Sequence, residues 1–487
     1  MKVEGSLMKY AASGVFWSLV QVWVNRIFAL GLWAVLARLL DPTAFGIAAT
    51  GTLLLQVTPT LAELGFGRSI MQRKALQDSD INLPFFFSLG ICLLVTLVVS
   101  LNADWISSQL HAEDAALYIS LVIATLLLNV PSLFQEAVYK RNMQFKFLAI
   151  RTFYANVIGG VLAVIAALLG AGVWSFLVQA YVTCIINTFL IWRRPLWTPG
   201  LSLHTQSFRE MLRFGYPLSL QTLNAFVGTR LIDFIIIGKF GLAAYGIYAI
   251  GSRLYTVLMR MLQGALGDVS LSALSRISDD RDRLVSVYRK TMMMGGYGTS
   301  TIFVLLASIS PETCHVLFGS RWDGVDDIAT LLMLMGAVNC VQYLNGPFQA
   351  SRGNSHLMLV TGLSKTGISI LALLLVPSDS IIELTIIFVL AQVAATPISF
   401  FFVTRELKMG MWAAYRLLLP PALINAACFA MVWFARPEVA LLGLPVILQG
   451  VLLALLFAVL FFVLLVLVDR KKALKGVRML RTALRSI

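Results

Sequence analysis

Apolar runs of 18 or more residues, separated by short polar segments, recur along the whole chain. Each is long enough to cross a hydrocarbon core of ~30 Å as an α-helix, and none alternates like the ~10-residue strands of a membrane barrel. In lipid, every backbone N–H and C=O needs a partner inside its own segment, so long continuous apolar runs predict helices. The pattern places fourteen spans at about 11–37, 44–65, 81–101, 116–138, 151–169, 173–192, 214–237, 243–266, 291–310, 327–350, 356–376, 381–403, 413–434 and 440–468. The fold class expected is therefore an all-α polytopic membrane protein. Fourteen is even, so both termini share a side.

Composition supports this picture. Hydrophobic residues make up 59% of the 487 and charged residues 13%, about half the charge of a soluble domain. So few charges do not make a water-facing surface. The net charge of +14 suggests nucleic acid until the charges are placed. Loops on one side hold twenty-nine Lys and Arg, seven of them in the tail from Arg470 to Arg485, whereas the opposite loops hold only Arg38, Lys239, Arg321 and Arg436. This is the positive-inside asymmetry. It predicts cytoplasmic termini and requires no nucleic-acid partner. The apolar run from Ala11 is too long for a cleaved signal peptide and is read as the first span. Residues 469–487, with Leu474, Val477, Leu480, Leu484 and Ile487 at helical spacing among basic residues, predict an amphipathic helix on the anionic inner leaflet. Five scattered cysteines and four distant histidines show neither a disulfide framework nor metal-ligand spacing. No metal or cofactor is expected.

Residues 43–51, TAFGIAATG, align without gaps on residues 243–251, AAYGIYAIG. The offset of 200 pairs Gly46 with Gly246 and Gly51 with Gly251; further out it pairs Gln21 with Gln221 and Gly67 with Gly267. Six spans separate the copies, so they share an orientation, as in parallel-repeat transporters. The organisation expected is an N-lobe of spans 1–6 (1–195), a C-lobe of spans 7–12 (196–410), two extra spans (411–468) and a basic tail (469–487).

Polar stripes repeat with the lobes. Ser18, Gln21 and Asn25 share a face of span 1, and Thr52, Gln56, Thr60 and Glu63 share one of span 2. Gln221 and Asn224 echo the first stripe in span 7, as Ser252, Thr256, Arg260 and Gln263 echo the second in span 8. Such stripes suit the walls of a central cavity, although uncharged polar residues serve equally as interhelical hydrogen-bond partners. Charges are more telling, since one at mid-bilayer costs at least ~2.5 kcal/mol on insertion scales. Inside the spans lie Arg26, Arg230, Arg253, Arg260 and Lys365 against Glu63 and Asp233. Arg253 and Arg260 are two turns apart on one side of span 8, whereas Arg230 and Asp233, one turn apart, can neutralise each other. An excess of cations suits an anionic substrate, and the arginine fork suits phosphate.

The segments LARLLDPTAFGIAATG (36–51), LGFGRSIMQRK (64–74), YKRNMQFKF (139–147), RFGYPLSL (213–220) and LFGSRWD (317–323) resemble the polysaccharide-transport family of the multidrug/oligosaccharidyl-lipid/polysaccharide superfamily. The likeness is greatest to flippases of the exopolysaccharide and colanic-acid type. The resemblance runs from about residue 10 to 470. It implies a flippase of the bacterial inner membrane that carries undecaprenyl-diphosphate-linked oligosaccharide repeat units to the periplasmic leaflet by alternating access. It implies a cavity in which Arg26, Arg253 and Arg260 meet the diphosphate, beside the polar residues named above; Arg230, discounted by its pairing with Asp233, is a further candidate from the residues themselves. Span 2 departs from the related lipid II flippases by offering Glu63 and no mid-span Arg. Partners implied are the lipid-linked substrate, the bilayer, and the polymerase and export machinery. Coupling to membrane potential, H+ or Na+ stays open. A drug or metabolite exporter of the same superfamily is the alternative, although exporters of cations favour carboxylates in the cavity. A membrane polymerase or glycosyltransferase is more remote, because no loop carries paired catalytic carboxylates. The run DDRDR at 279–283 reads as a solvated interfacial helix.

Overall fold

The computed structural model describes residues 25, 27–73, 75–109, 115–275, 280–343, 345–351 and 355–468, with backbone alone at some helical positions, among them 57–63, 221 and 264–273. Among the described residues there is no strand. Each expected span that falls on them coincides with a helix, from Ile27–Leu39 and Pro42–Glu63 to Met411–Leu441 and Val446–Val468. Nine of these helices are long and apolar enough to cross a membrane, or ten counting the bent pair Arg281–Ser308 and Ser310–Phe318. The protein is a multi-pass, all-α membrane protein. The expected tail helix lies outside the described residues.

Local chemistry sets the breaks. Asp41 is extended and precedes Pro42 at the first position of Pro42–Glu63, where a missing N–H costs nothing. That helix stops at Leu64 and Gly65, both in the left-handed region, before the short helix Phe66–Gln72. Gly241, at φ 81°, interrupts the long element Thr205–Ser275, between the seventh and eighth spans expected from hydropathy. Many of the basic residues counted as loop residues lie inside helices instead, and two of them are tied to carboxylates on other helices. Arg151 falls within Phe145–Leu168 and Arg436 within Met411–Leu441. Glu136 receives the first guanidinium at 2.8 Å and the buried Glu312 receives the second at 2.9 Å.

The chain forms two compact units, residues 1–250 and 251–487. In the first, Ala115–Arg141 is central: Pro42–Glu63, Asp78–Leu101 and Trp174–Trp192 pack on it, and Phe145–Leu168 packs on Trp174–Trp192. In the second, Val325–Tyr343 takes the central place. The stretch around Gly251 and the helix Ser300–Ser308 pack on it, as does Ile381–Ala394, against which Ser355–Leu375 lies. Each second-unit pairing joins helices six spans on from a first-unit pair. The glycines show why. A Cβ on Gly51 would come within 2.9 Å of the Tyr118 ring on Ala115–Arg141, and one on Gly251 within 2.8 Å of Ile328 on Val325–Tyr343. The repeat therefore encodes a packing contact twice over.

The last two helices have no counterpart in the first unit. Both pack on the broken element from Ser300 to Phe318. Val446–Val468 buries only Leu453 and Phe457, whereas Val325–Tyr343 buries twelve of its nineteen residues. The former is a lipid-facing helix, and its apolar surface is at no disadvantage in hydrocarbon.

Candidate functional site

In the first unit the polar stripe of Pro42–Glu63 meets the seventh span. Gln56 Oε1 accepts from Arg230 Nη2 at 2.9 Å, while Arg230 Nη1 bonds Asp233 Oδ2 at 3.1 Å. Asp233 is nearly fully buried and also bonds Tyr245. Arg230 is thus neutralised within its own helix and tied to its neighbour, an arrangement suited to holding helices together. Asn25 accepts from Asn156 at 2.7 Å, and the Thr52 hydroxyl donates to the Ala48 carbonyl one turn back at 3.0 Å. Asn224 is half-buried. Ser18, Gln21 and Arg26 lie outside the described residues, as do the side chains of Glu63 and Gln221.

In the second unit Arg253, Thr256, Arg260 and Gln263 run at i, i+3, i+7 and i+10 along Thr205–Ser275, so they share one face. Arg260 is exposed and the other three half-buried. A second polar feature of this unit was not placed in the site from the sequence. Lys365, the eleventh residue of the 21-residue helix Ser355–Leu375, donates to Asn339 Oδ1 and to Gln342 Oε1, each at 2.8 Å. Asn339 in turn donates to the Tyr255 hydroxyl at 3.4 Å. The signal was present in the sequence: two amides three residues apart in one span, Asn339 and Gln342, and a lysine at the centre of the next one.

The family-like motifs turn out to be largely structural. Arg141 of YKRNMQFKF donates to the Ile70 carbonyl at 2.9 Å and to the Arg73 carbonyl, both in LGFGRSIMQRK. A Cβ on Gly65 would stand 2.5 Å from Gly215 Cα, joining that motif to RFGYPLSL. Nearby, Ser207 donates to Asp80 at 2.6 Å, and Arg73 reaches Asp80 at 3.7 Å and Glu210 at 3.3 Å. Asn82 bonds both Gly200 N and Ser202 O, and Trp197 Nε1 donates to the Asp78 carbonyl. This network seats residues 193–204, the longest described stretch outside helices. Among the described residues no group of His, Cys, Asp and Glu could hold a metal ion.

The described helices form a membrane-spanning bundle whose packing is duplicated, the organisation of parallel-repeat transporters. A family model described as "Polysaccharide biosynthesis protein" matches residues 35–327, more than half of the chain. The chain belongs to that family. It is 24% identical over 438 residues to the lipopolysaccharide biosynthesis protein WzxC of Escherichia coli (strain K12), covering 87% of this chain and 88% of that protein. It is 23% identical over 329 residues to the succinoglycan biosynthesis transport protein ExoT of Rhizobium meliloti (strain 1021), covering 65% of each. Among solved structures, the lipid II flippase MurJ in an inward closed conformation superposes with a TM-score of 0.66 at 15% identity, covering 92% of this chain and 99% of that one. At that identity the likeness shows the fold.

Proposed function

We propose that this protein is a flippase that moves undecaprenyl-diphosphate-linked oligosaccharide repeat units from the cytoplasmic to the periplasmic leaflet of the bacterial inner membrane. It works by alternating access between an N-lobe (1–195) and a C-lobe (196–410), with the spans of 411–468 attached to the latter. One observation carries the reading: a chain of the polysaccharide biosynthesis family folds as a transporter, and its described non-helical stretches are too short to house polymerase or transferase chemistry. The named relatives support it, one as a transport protein of succinoglycan biosynthesis and one, by fold, as a lipid II flippase.

The charges fit the cargo. Arg253 and Arg260 share a helix face with Thr256 and Gln263, where planar guanidinium groups suit a diphosphate through paired N–H bonds. Arg26 is assigned to the same role from the first span. Arg230, already neutralised by Asp233, is assigned to positioning the second and seventh spans. The charge asymmetry of the loops supports fourteen spans with both termini in the cytoplasm. Deleting the protein and identifying by mass spectrometry which lipid-linked oligosaccharide accumulates tests the reading. Accumulation of such a precursor in the inner leaflet is expected, and export with no accumulating intermediate would count against it.

A further inference from the structure

Basic side chains inside the described helices mostly meet a carboxylate, whereas Arg141 and Arg281, at helix ends, bond backbone carbonyls. Arg151 bonds Glu136 at 2.8 Å, Arg230 bonds Asp233 at 3.1 Å and Arg436 bonds Glu312 at 2.9 Å. Lys365 differs from both groups. It sits at the midpoint of its helix and is held by two neutral amide oxygens, Asn339 Oδ1 and Gln342 Oε1.

Amide carbonyls orient an ammonium group without cancelling its charge. Asn339 is itself oriented, since its Nδ2 donates to the Tyr255 hydroxyl and its oxygen is thereby turned to Lys365. Gln342 is buried on the central helix of the second unit. Lysine carries three N–H donors. Two are engaged, and Lys365 remains half-buried rather than enclosed. A cation held at mid-membrane with no carboxylate among its described partners is a mark of a transport site rather than of packing.

We propose that Lys365, with Asn339 and Gln342 as its positioning residues, is an anion-binding subsite of the second unit. It takes an anionic oxygen of the transported molecule on the remaining ammonium N–H. This rests on the flippase reading and extends it. The oxygen is either a phosphoryl oxygen of the lipid diphosphate or a carboxylate of an acidic sugar in the repeat unit.

The test uses the full-length protein in phosphatidylcholine nanodiscs, as wild type and as Lys365→Gln, Lys365→Met and Lys365→Arg. Two probes are titrated separately: sugar-free undecaprenyl diphosphate, and a lipid-free oligogalacturonate. The neutral variants should bind one probe about tenfold or more weakly than wild type, the usual weight of a hydrogen bond to a charged group. Lys365→Arg should stay within about threefold. The arm that weakens identifies the source of the anion. Lys365→Gln can still hydrogen-bond both amides, so it carries the test if Lys365→Met fails to fold. Equal affinities for wild type and Lys365→Gln in both arms, or no binding of either anion by the wild type, would overturn the subsite. The flippase reading fails by a different result, the absence of accumulated precursor in the deletion strain.

Discussion

Gly46 and Gly246, which occupy the same place in the internal repeat, meet each other reciprocally in the fold. A Cβ added to Gly46 would land on the Leu242 carbonyl, within 2.6 Å of its carbon, and a Cβ on Gly246 would land on the Pro42 carbonyl and 3.0 Å from Gly46 N. Pro42 and Leu242 are themselves partners at the offset of 200, so the contact is symmetric about the duplication. Nineteen residues further along, Gly65 meets Gly215. The two contacts are roughly 28 Å apart along a helix, close to the thickness of a hydrocarbon core. The helix Pro42–Glu63 is thus held at both ends by glycines. Either Gly46→Ala or Gly246→Ala should cost about 1–3 kcal/mol through overpacking against backbone, seen as a lowered melting temperature together with reduced export. Because both substitutions strain one contact, the double variant should lose less than the sum of the two. Gly90, where an added methyl would meet nothing within 4 Å, is the control, and Gly90→Ala should change neither readout.

Arg436 holds the thirteenth span to the broken ninth. Its Nε bonds Glu312 at 2.9 Å, its Nη2 bonds the Ser308 carbonyl at 2.6 Å, and its guanidinium lies 4.3 Å from the Trp433 ring centre. Removing one partner of a buried pair strands the other charge, at a typical cost of 3–5 kcal/mol. Arg436→Ala should therefore reduce the amount of monodisperse protein extracted from membranes. The double variant Glu312→Gln with Arg436→Gln should recover much of it, because no lone carboxylate remains. Poorer behaviour of the double variant than of Arg436→Ala would show that the pair does not act through its charges.

Arg253→Ala and Arg260→Ala are expected to abolish polymer export while membrane abundance stays near that of wild type. Lysine at either position should restore export only in part, since it keeps the charge but lacks the two-pronged donor geometry. Complementation of a deletion strain, with immunoblots for abundance, separates this from a packing role, in which protein and export would disappear together.

Outward movement of a diphosphate carries negative charge toward the positive face of an energised membrane, and each charge gains about 2.3 kcal/mol per 100 mV. The emptied arginine-lined site would then be drawn back toward the negative interior. We propose that the membrane potential alone drives both halves of the cycle. Collapsing the potential in vesicles, with proton and sodium gradients held constant, should slow flipping. Glu63→Gln should matter less than either arginine substitution. Flipping that survives collapse of the potential but stops in Glu63→Gln would instead indicate coupling to H+ or Na+.

Much of the fold was legible in the sequence because lipid leaves the backbone so few solutions. A long apolar run must be a helix, and the breaks at Asp41–Pro42, Leu64–Gly65 and Gly241 fall where hydropathy drops. The repeat was legible through Gly46 and Gly246, whose missing side chains record a close approach. Site residues were less legible, since a polar residue in an apolar run reads the same whether it faces a cavity or a neighbouring helix. Asn25 turns out to bond Asn156, and Gln56 to bond Arg230. Arg151 and Arg436 likewise find their carboxylates, Glu136 and Glu312, on other helices. By itself the sequence determined the helices, their order and their duplication, because these depend on local hydrophobicity and backbone hydrogen bonding. Only the tertiary structure decided which buried charges are cancelled and which, like Lys365, are merely oriented, because the energy of a charge depends on partners that the chain brings together from far apart.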